Sequence, residues 1–300
     1  MNTTSVMAMA AAIVEAHRAP LGLASSDAST PAQGHDDPVY RAAKQASREL
    51  GFIEADAECI AAAWQARTLR TGAFDATAWP DEPPDFGLAP HPRAHGFAPC
   101  PASLGLYAVL PDAGWVGRMA RAGVPTVQLR FKSDDADAVQ REVDSAIDAV
   151  RGTGARLFIN DHWQAAIHAG AYGVHLGQED IDLADLDAIR TAGLRLGLST
   201  HGYAEMLRAD RISPSYIAMG AVYATTLKQM ATVPQGPGRL AAYVRLMQHH
   251  ALVAIGGIDA ERLPQVLESG VGSVAVVRAL VNAQQPELVA ADWMGWLARR

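Results

Sequence analysis

Gly173-Val174-His175-Leu176-Gly177-Gln178-Glu179-Asp180 is an apolar run that breaks into three polar residues at its downstream end. The same passage recurs through the last two-thirds of the chain. Val127-Gln128-Leu129-Arg130 leads to Lys132, and Leu157-Phe158-Ile159 leads to Asn160-Asp161. Leu196-Gly197-Leu198 leads to Ser199-Thr200-His201, and Val253-Ala254-Ile255 leads to Gly256-Gly257. A parallel β/α barrel carries its chemistry at the C-terminal ends of its strands. The pattern therefore points to an enzyme built as an α/β (β/α)8 TIM barrel over residues 104–300. Strands are expected at 105–110, 126–131, 156–160, 173–176, 195–199, 216–222, 252–256 and 273–277. Helices are expected at 113–122, 134–151, 163–169, 183–192, 202–210, 238–249, 260–269 and 286–299. The strand runs are mostly continuous in apolar residues, as in strands buried on both faces. The rival, a doubly wound open sheet, lacks a Gly-rich dinucleotide fingerprint after its first strand.

The chain has 300 residues, 49% of them hydrophobic, enough for one barrel and something smaller. Its formal net charge of -7 argues against a nonspecific nucleic-acid binder, which would present a basic face. A local Arg and Lys cluster can still attract an anionic small molecule. Cys59 and Cys100 have no CxxC or metal-ligand spacing, so a reducing cytoplasm fits best. The apolar stretch Val6–Val14 is short for a secretory core and lacks a basic flank. No run is long enough for a transmembrane helix, so a membrane role is not expected.

Residues 1–103 have a different texture, read as a mainly helical, partly flexible N-terminal extension. Gly22 to Pro38 is small and polar, as linkers are. Pro38 to Thr71 has helical spacing, with Ile53, Ala57, Ile60, Ala61 and Trp64 three and four apart. Seven prolines between Pro80 and Pro101 make an extended connector.

Four constellations at the strand ends suit an anionic substrate. Arg130 and Lys132 flank Phe131, and alternation puts both on one side, where a fork donor and a point cation suit a diphosphate. A solvated surface pair is the plainer reading. Asp161 and Asp180 follow adjacent strands and could share a hard cation such as Mg²⁺, or cap helices. Asp182 is the better cap near Asp180, which leaves Asp180 the stronger metal candidate. Thr225-Thr226-Leu227-Lys228 offers hydroxyls and an ammonium after the sixth strand. Gly256-Gly257 and Val277-Arg278 end strands seven and eight, where barrels build phosphate sites from backbone N–H groups. His175, inside a strand, reads as a packed, hydrogen-bonded histidine, and His201 lies nearer the mouth.

Taken in order, Gln128-Leu129-Arg130-Phe131-Lys132, Asn160-Asp161, Gly177-Gln178-Glu179-Asp180, Ser199-Thr200-His201, Thr225-Thr226-Leu227-Lys228 and Gly256-Gly257 resemble the thiamine-phosphate synthase family, over roughly residues 104–280. The resemblance implies a transferase that joins a pyrimidine methyl diphosphate to a thiazole phosphate and releases diphosphate. It implies that Gln128, Arg130, Lys132 and Asn160 hold the pyrimidine diphosphate, and that Asp161 and Asp180 hold Mg²⁺. Ser199 and Lys228 would contact the same substrate, and Thr225, Gly257, Val277 and Arg278 the thiazole phosphate. Arg130, Lys132 and Lys228 would stabilise the charge of the leaving diphosphate.

Three positions depart from the family pattern. Phe131 stands where the family usually has Glu, Leu227 where it has a second Thr, and Arg278 where it often has Ser. Leu227 removes a hydroxyl from the thiazole phosphate end, and Arg278 supplies a cation there. Two other functions remain open: a thiazole tautomerase with His201 as acid and base, and a thiamine-intermediate binding protein without turnover. Small molecules are the expected partners. The residues leave a homo-oligomer open and do not assign a role to residues 1–103.

Overall fold

The computed structural model describes residues 3–23, 35–225 and 232–299. Eight parallel strands close on themselves in sequence order. They are β1 (Gly105–Leu110), β2 (Thr126–Leu129), β3 (Arg156–Asn160), β4 (Gly173–Leu176), β5 (Arg195–Thr200), β6 (Tyr216–Met219), β7 (Leu252–Ile255) and β8 (Ser273–Val276). Closure comes from β1 pairing with β8, with Gly105 opposite Ser273. The expected (β/α)8 barrel is present, with a helical extension ahead of it.

Helices cover the outside. The extension supplies α1 (Thr3–Leu21), α2 (Pro38–Glu49) and α3 (Glu54–Thr71). The barrel supplies α4 (Ala113–Arg121), α5 (Ala136–Val150), α6 (Trp163–Ala169), α7 (Leu186–Thr191), α8 (Tyr203–Ile212), α9 (Gly236–Leu246) and α10 (Leu263–Glu268). The short α11 (Arg278–Val281) and α12 (Pro286–Ala298) follow β8. Asp112, Asp135 and Asp185 accept backbone N–H groups in the first turns of α4, α5 and α7.

Several expectations need correction. The helix expected over 38–71 is two helices, because the chain turns at Gly51, whose φ of 83° suits glycine. The apolar stretch Val6–Val14 lies within α1, which packs against the other two extension helices and the barrel. Strands β2, β6, β7 and β8 stop before the ends expected for them. The cap near Asp180 is Asp185, whereas Asp182 pairs with Arg208 at 2.6 Å.

The barrel interior is filled by Leu104, Tyr107, Val109, Phe158, Tyr216, Ala218, Val253 and Ala275. Room for the large rings comes from missing side chains opposite them. A Cβ on Gly197 would lie 2.1 Å from the Tyr216 ring. Outside the strands, one continuous core joins barrel and extension. Leu50, Phe52, Ile60 and Trp64 belong to it together with Tyr203 of α8 and Leu240 and Tyr243 of α9.

Polar contacts tie the extension down at both ends of this face. Arg239 of α9 is 2% exposed, and it donates to the backbone carbonyls of Leu21 (2.8 Å) and Leu50 (2.7 Å). Its guanidinium lies 3.5 Å from the centre of the Phe52 ring. Asp56 of α3 accepts the Ala204 N–H at 2.9 Å. Gly202, at the start of α8, has no side chain of its own to cap with. At the opposite end of the barrel, Ser215 donates to the Ala98 carbonyl and the Phe97 N–H to the Ser213 carbonyl. No described helix is long and apolar enough to cross a membrane.

Candidate active site

A cavity of about 990 Å³ opens at the C-terminal ends of the strands. Gln128, Arg130, Lys132, Asn160, Asp161, Asp180, Ser199, Thr225, Gly257, Val277 and Arg278 all line it. Thus each described residue expected at the site faces one space. Lys228, with Thr226 and Leu227, lies outside the described residues.

On one side of the cavity, β2 and β3 set the polar groups. Gln128 and Asn160 are buried, and the Gln128 amide donates to Asn160 Oδ1 at 2.7 Å. Arg130 and Lys132 come after β2 has ended, so the loop rather than strand alternation turns both toward the cavity. Phe131 packs against the outer core, and its carbonyl is 3.0 Å from His162 Nε2.

Asp161 has a left-handed backbone, φ 63°, held by its N–H on the His175 carbonyl and by its own carbonyl on the Trp163 N–H. A non-glycine residue in that region stores strain, a common mark of functional turns. Its side chain does not cap α6. Desolvation by the surrounding protein and the charge of Asp180 raise its pKa, and Arg130 pulls the other way. Asp180 opens a single 3-10 turn, where its Oδ2 accepts the Gly177 N–H at 2.9 Å. A carboxyl made harder to ionise by burial and by a neighbouring carboxylate suits a hard cation, which would relieve it. The donor set therefore fits Mg²⁺.

The floor holds a hydrogen-bonded chain that the sequence reading did not foresee. Tyr107 and Tyr216 hydroxyls meet at 2.7 Å, the Tyr216 hydroxyl lies 2.6 Å from His175 Nδ1, and His175 Nε2 lies 2.8 Å from Ser199 Oγ. Burial pushes both phenols far above their ordinary pKa, so both stay protonated. One polarity accounts for each hydrogen along this chain: Tyr107 donates to Tyr216, Tyr216 donates to Nδ1, and Nε2–H donates to Ser199. Under that polarity His175 carries its proton on Nε2 and the Ser199 hydroxyl is free to donate toward the cavity. His175 is the packed, hydrogen-bonded histidine expected. His201 also lines the cavity, with Nδ1 2.6 Å from Glu205 Oε2.

At the far wall, Gly256 and Gly257 have φ of 104° and 64°. A Cβ at Gly257 would sit 2.5 Å from the Ala224 carbonyl, so only glycine fits this close approach of loops. Arg262, one turn on, lines the cavity and donates to the Gly257 carbonyl at 2.8 Å. The sequence reading missed Arg262. Its place just after the double glycine, where barrels gather phosphate groups, was the available clue. The β6–α9 loop returns at Gln235, whose Oε1 accepts from Arg239 at 3.2 Å and from Tyr243 at 2.9 Å. The extension's anchor thus also holds the loop's downstream end.

The family model described as thiamine monophosphate synthase matches residues 107–280. A thiamine-phosphate synthase of Neisseria meningitidis is 55% identical over 193 residues, 64% of this chain and 94% of the relative. One from Cronobacter sakazakii is 51% identical over 199 residues, 66% of this chain and 91% of the relative. The solved structure of a thiamine phosphate pyrophosphorylase from Pyrococcus furiosus shares the fold, with a TM-score of 0.59 at 24% identity. It covers 65% of this chain and 96% of its own. With its barrel, its strand-end cavity and a family match over more than half its length, this chain belongs to the thiamine monophosphate synthase family.

Proposed function

We propose that the chain condenses 4-amino-2-methyl-5-(diphosphooxymethyl)pyrimidine with a thiazole phosphate, giving thiamine phosphate and diphosphate, in the cytoplasm. The observation that carries this reading is the convergence of Arg130, Lys132, Asp161 and Asp180 on one cavity. The bond between the pyrimidine methylene and the diphosphate oxygen breaks with its electrons going to oxygen. The thiazole nitrogen then forms the new bond to that carbon. The electron-rich aminopyrimidine spreads the positive charge meanwhile, so no protein nucleophile is required.

In this reading Gln128 and Asn160 orient the pyrimidine diphosphate as a coupled pair. Arg130 and Lys132, with Lys228, meet the diphosphate oxygens as charge grows on them. Ser199, oriented by His175, donates a hydrogen bond to the same substrate. Thr225, Gly257, Val277 and Arg278 receive the thiazole phosphate, with Arg262 adding positive charge at that wall. Asp161 and Asp180 would hold Mg²⁺, which supplies charge neutralisation to the leaving diphosphate.

The test is diphosphate release by the purified chain given both substrates, with Mg²⁺ and then with EDTA. Release that requires both substrates and Mg²⁺, with thiamine phosphate formed in step, is expected. Binding of the thiazole phosphate without release would overturn the proposal.

A further inference from the structure

We propose that His91, Asp210 and His250 form a binding site for one divalent transition-metal ion, zinc above others, at the foot of the barrel. This site lies outside the substrate cavity. His91 belongs to the proline-rich connector, Asp210 to the last turns of α8, and His250 to the turn before β7. The latter two sit where chain enters strands, opposite to the strand ends that form the cavity.

The geometry is that of a three-donor face. His91 Nε2, an Asp210 carboxylate oxygen and His250 Nε2 all lie within 4.8 Å of one another. Both imidazole nitrogens point at the same oxygen, Oδ1, His250 from 2.8 Å and His91 from 3.3 Å. A tetrahedral zinc ion with ligands at about 2.0–2.2 Å sets its donors roughly 3.3 Å apart. Small side-chain adjustments would therefore admit the ion between them. Two imidazoles and one carboxylate select zinc-like ions over Mg²⁺, which prefers oxygen alone.

The surroundings also resemble a supported ligand set. Arg93 Nη2 donates to the other carboxylate oxygen, Oδ2, at 2.5 Å, and Arg93 Nη1 donates to the Asp210 backbone carbonyl. Such contacts fix a ligating carboxylate in orientation. Asp210 and His250 side chains are each 4% exposed, whereas His91 is 20% exposed, so a fourth ligand such as water would enter beside His91. The exposed His249 ring is 6.0 Å from that of His91. Bound zinc would join three segments far apart in sequence and clamp the connector to the barrel.

The full-length chain, dialysed against chelator, is titrated with ZnCl2 by calorimetry in excess Mg²⁺, and with CoCl2 by visible absorption. One equivalent of zinc is expected in the parent and in Asp180→Ala, with tetrahedral cobalt bands and a Tm that rises with zinc. His91→Gln and His250→Gln keep an N–H donor for Asp210 Oδ1, so the fold survives while ligation is lost. In both, zinc affinity should fall roughly 100-fold or more and the zinc-dependent Tm rise should vanish. No zinc binding by the parent, or unchanged binding in both glutamine variants, would overturn the site and leave a hydrogen-bonded latch.

Discussion

Gln128 donates its side-chain amide to Asn160 at 2.7 Å across neighbouring strands, so two residues assigned to one substrate are also assigned to each other. Removing either leaves the other misplaced as well as removing its own contact. Single alanine variants and the double variant should therefore be non-additive in kcat/KM, with a coupling energy of about 0.5–3 kcal/mol. A strictly additive cycle would mean that each meets the substrate alone.

Asp180→Ala is expected to abolish Mg²⁺-dependent diphosphate release while the circular dichroism spectrum stays that of the parent. The lost bond to the Gly177 N–H affects only a local turn. Near-parental turnover in this variant would take Asp180 out of the metal assignment.

Lys132→Ala should weaken binding of the pyrimidine diphosphate more than that of the thiazole phosphate, because Lys132 follows β2 whereas the double glycine follows β7, on a strand that is not its neighbour in the barrel. Calorimetry with each substrate separately reads the difference. Equal weakening of both would contradict the division of the cavity.

Tyr216→Phe removes one hydroxyl and with it the bonds that hydroxyl makes to the Tyr107 hydroxyl and to His175 Nδ1. Loss of such bonds by buried groups costs about 1–3 kcal/mol. A lower Tm is expected, together with weaker binding of the pyrimidine diphosphate as Ser199 loses its orientation. An unchanged Tm would show that the chain of hydroxyls carries no weight.

Asp56 yields a pH-dependent prediction. Burial raises its pKa, while the Ala204 N–H and the charge of Arg239 oppose the rise. A carboxyl whose folded pKa exceeds the unfolded value stabilises fully below the unfolded pKa, and that contribution is lost as pH rises through the folded one. Asp56→Asn keeps the carbonyl that caps α8 and never ionises. Its stability relative to the parent should therefore rise between acidic pH, where the parent's carboxyl is protonated, and pH 7, where it must ionise. Thermal melts at the two pH values decide it.

The barrel was legible because strands buried on both faces read as apolar runs and the loops after them carry the polar residues. Even the residue pairs were recoverable, since Asp161 and Asp180 follow adjacent strands. The interior chain was not, because Tyr107 and Tyr216 sit within those same apolar runs, 109 residues apart, with nothing local to mark them as partners. Arg239 looks like any surface cation of a helix until the extension folds over it. His91 and Asp210 are 119 residues apart, and only the closed fold makes them neighbours. Gly51 splits a helical pattern that residue spacing alone runs through.

Arg239 also has a meaning beyond this molecule. Its donors end on the carbonyls of Leu21 and Leu50, and a barrel without the extension offers neither. In such a barrel the same guanidinium would keep Gln235 and lose both backbone acceptors. A barrel without such an extension is therefore expected to differ from this one at the position of Arg239, where two of the partners that hold the side chain come from the extension.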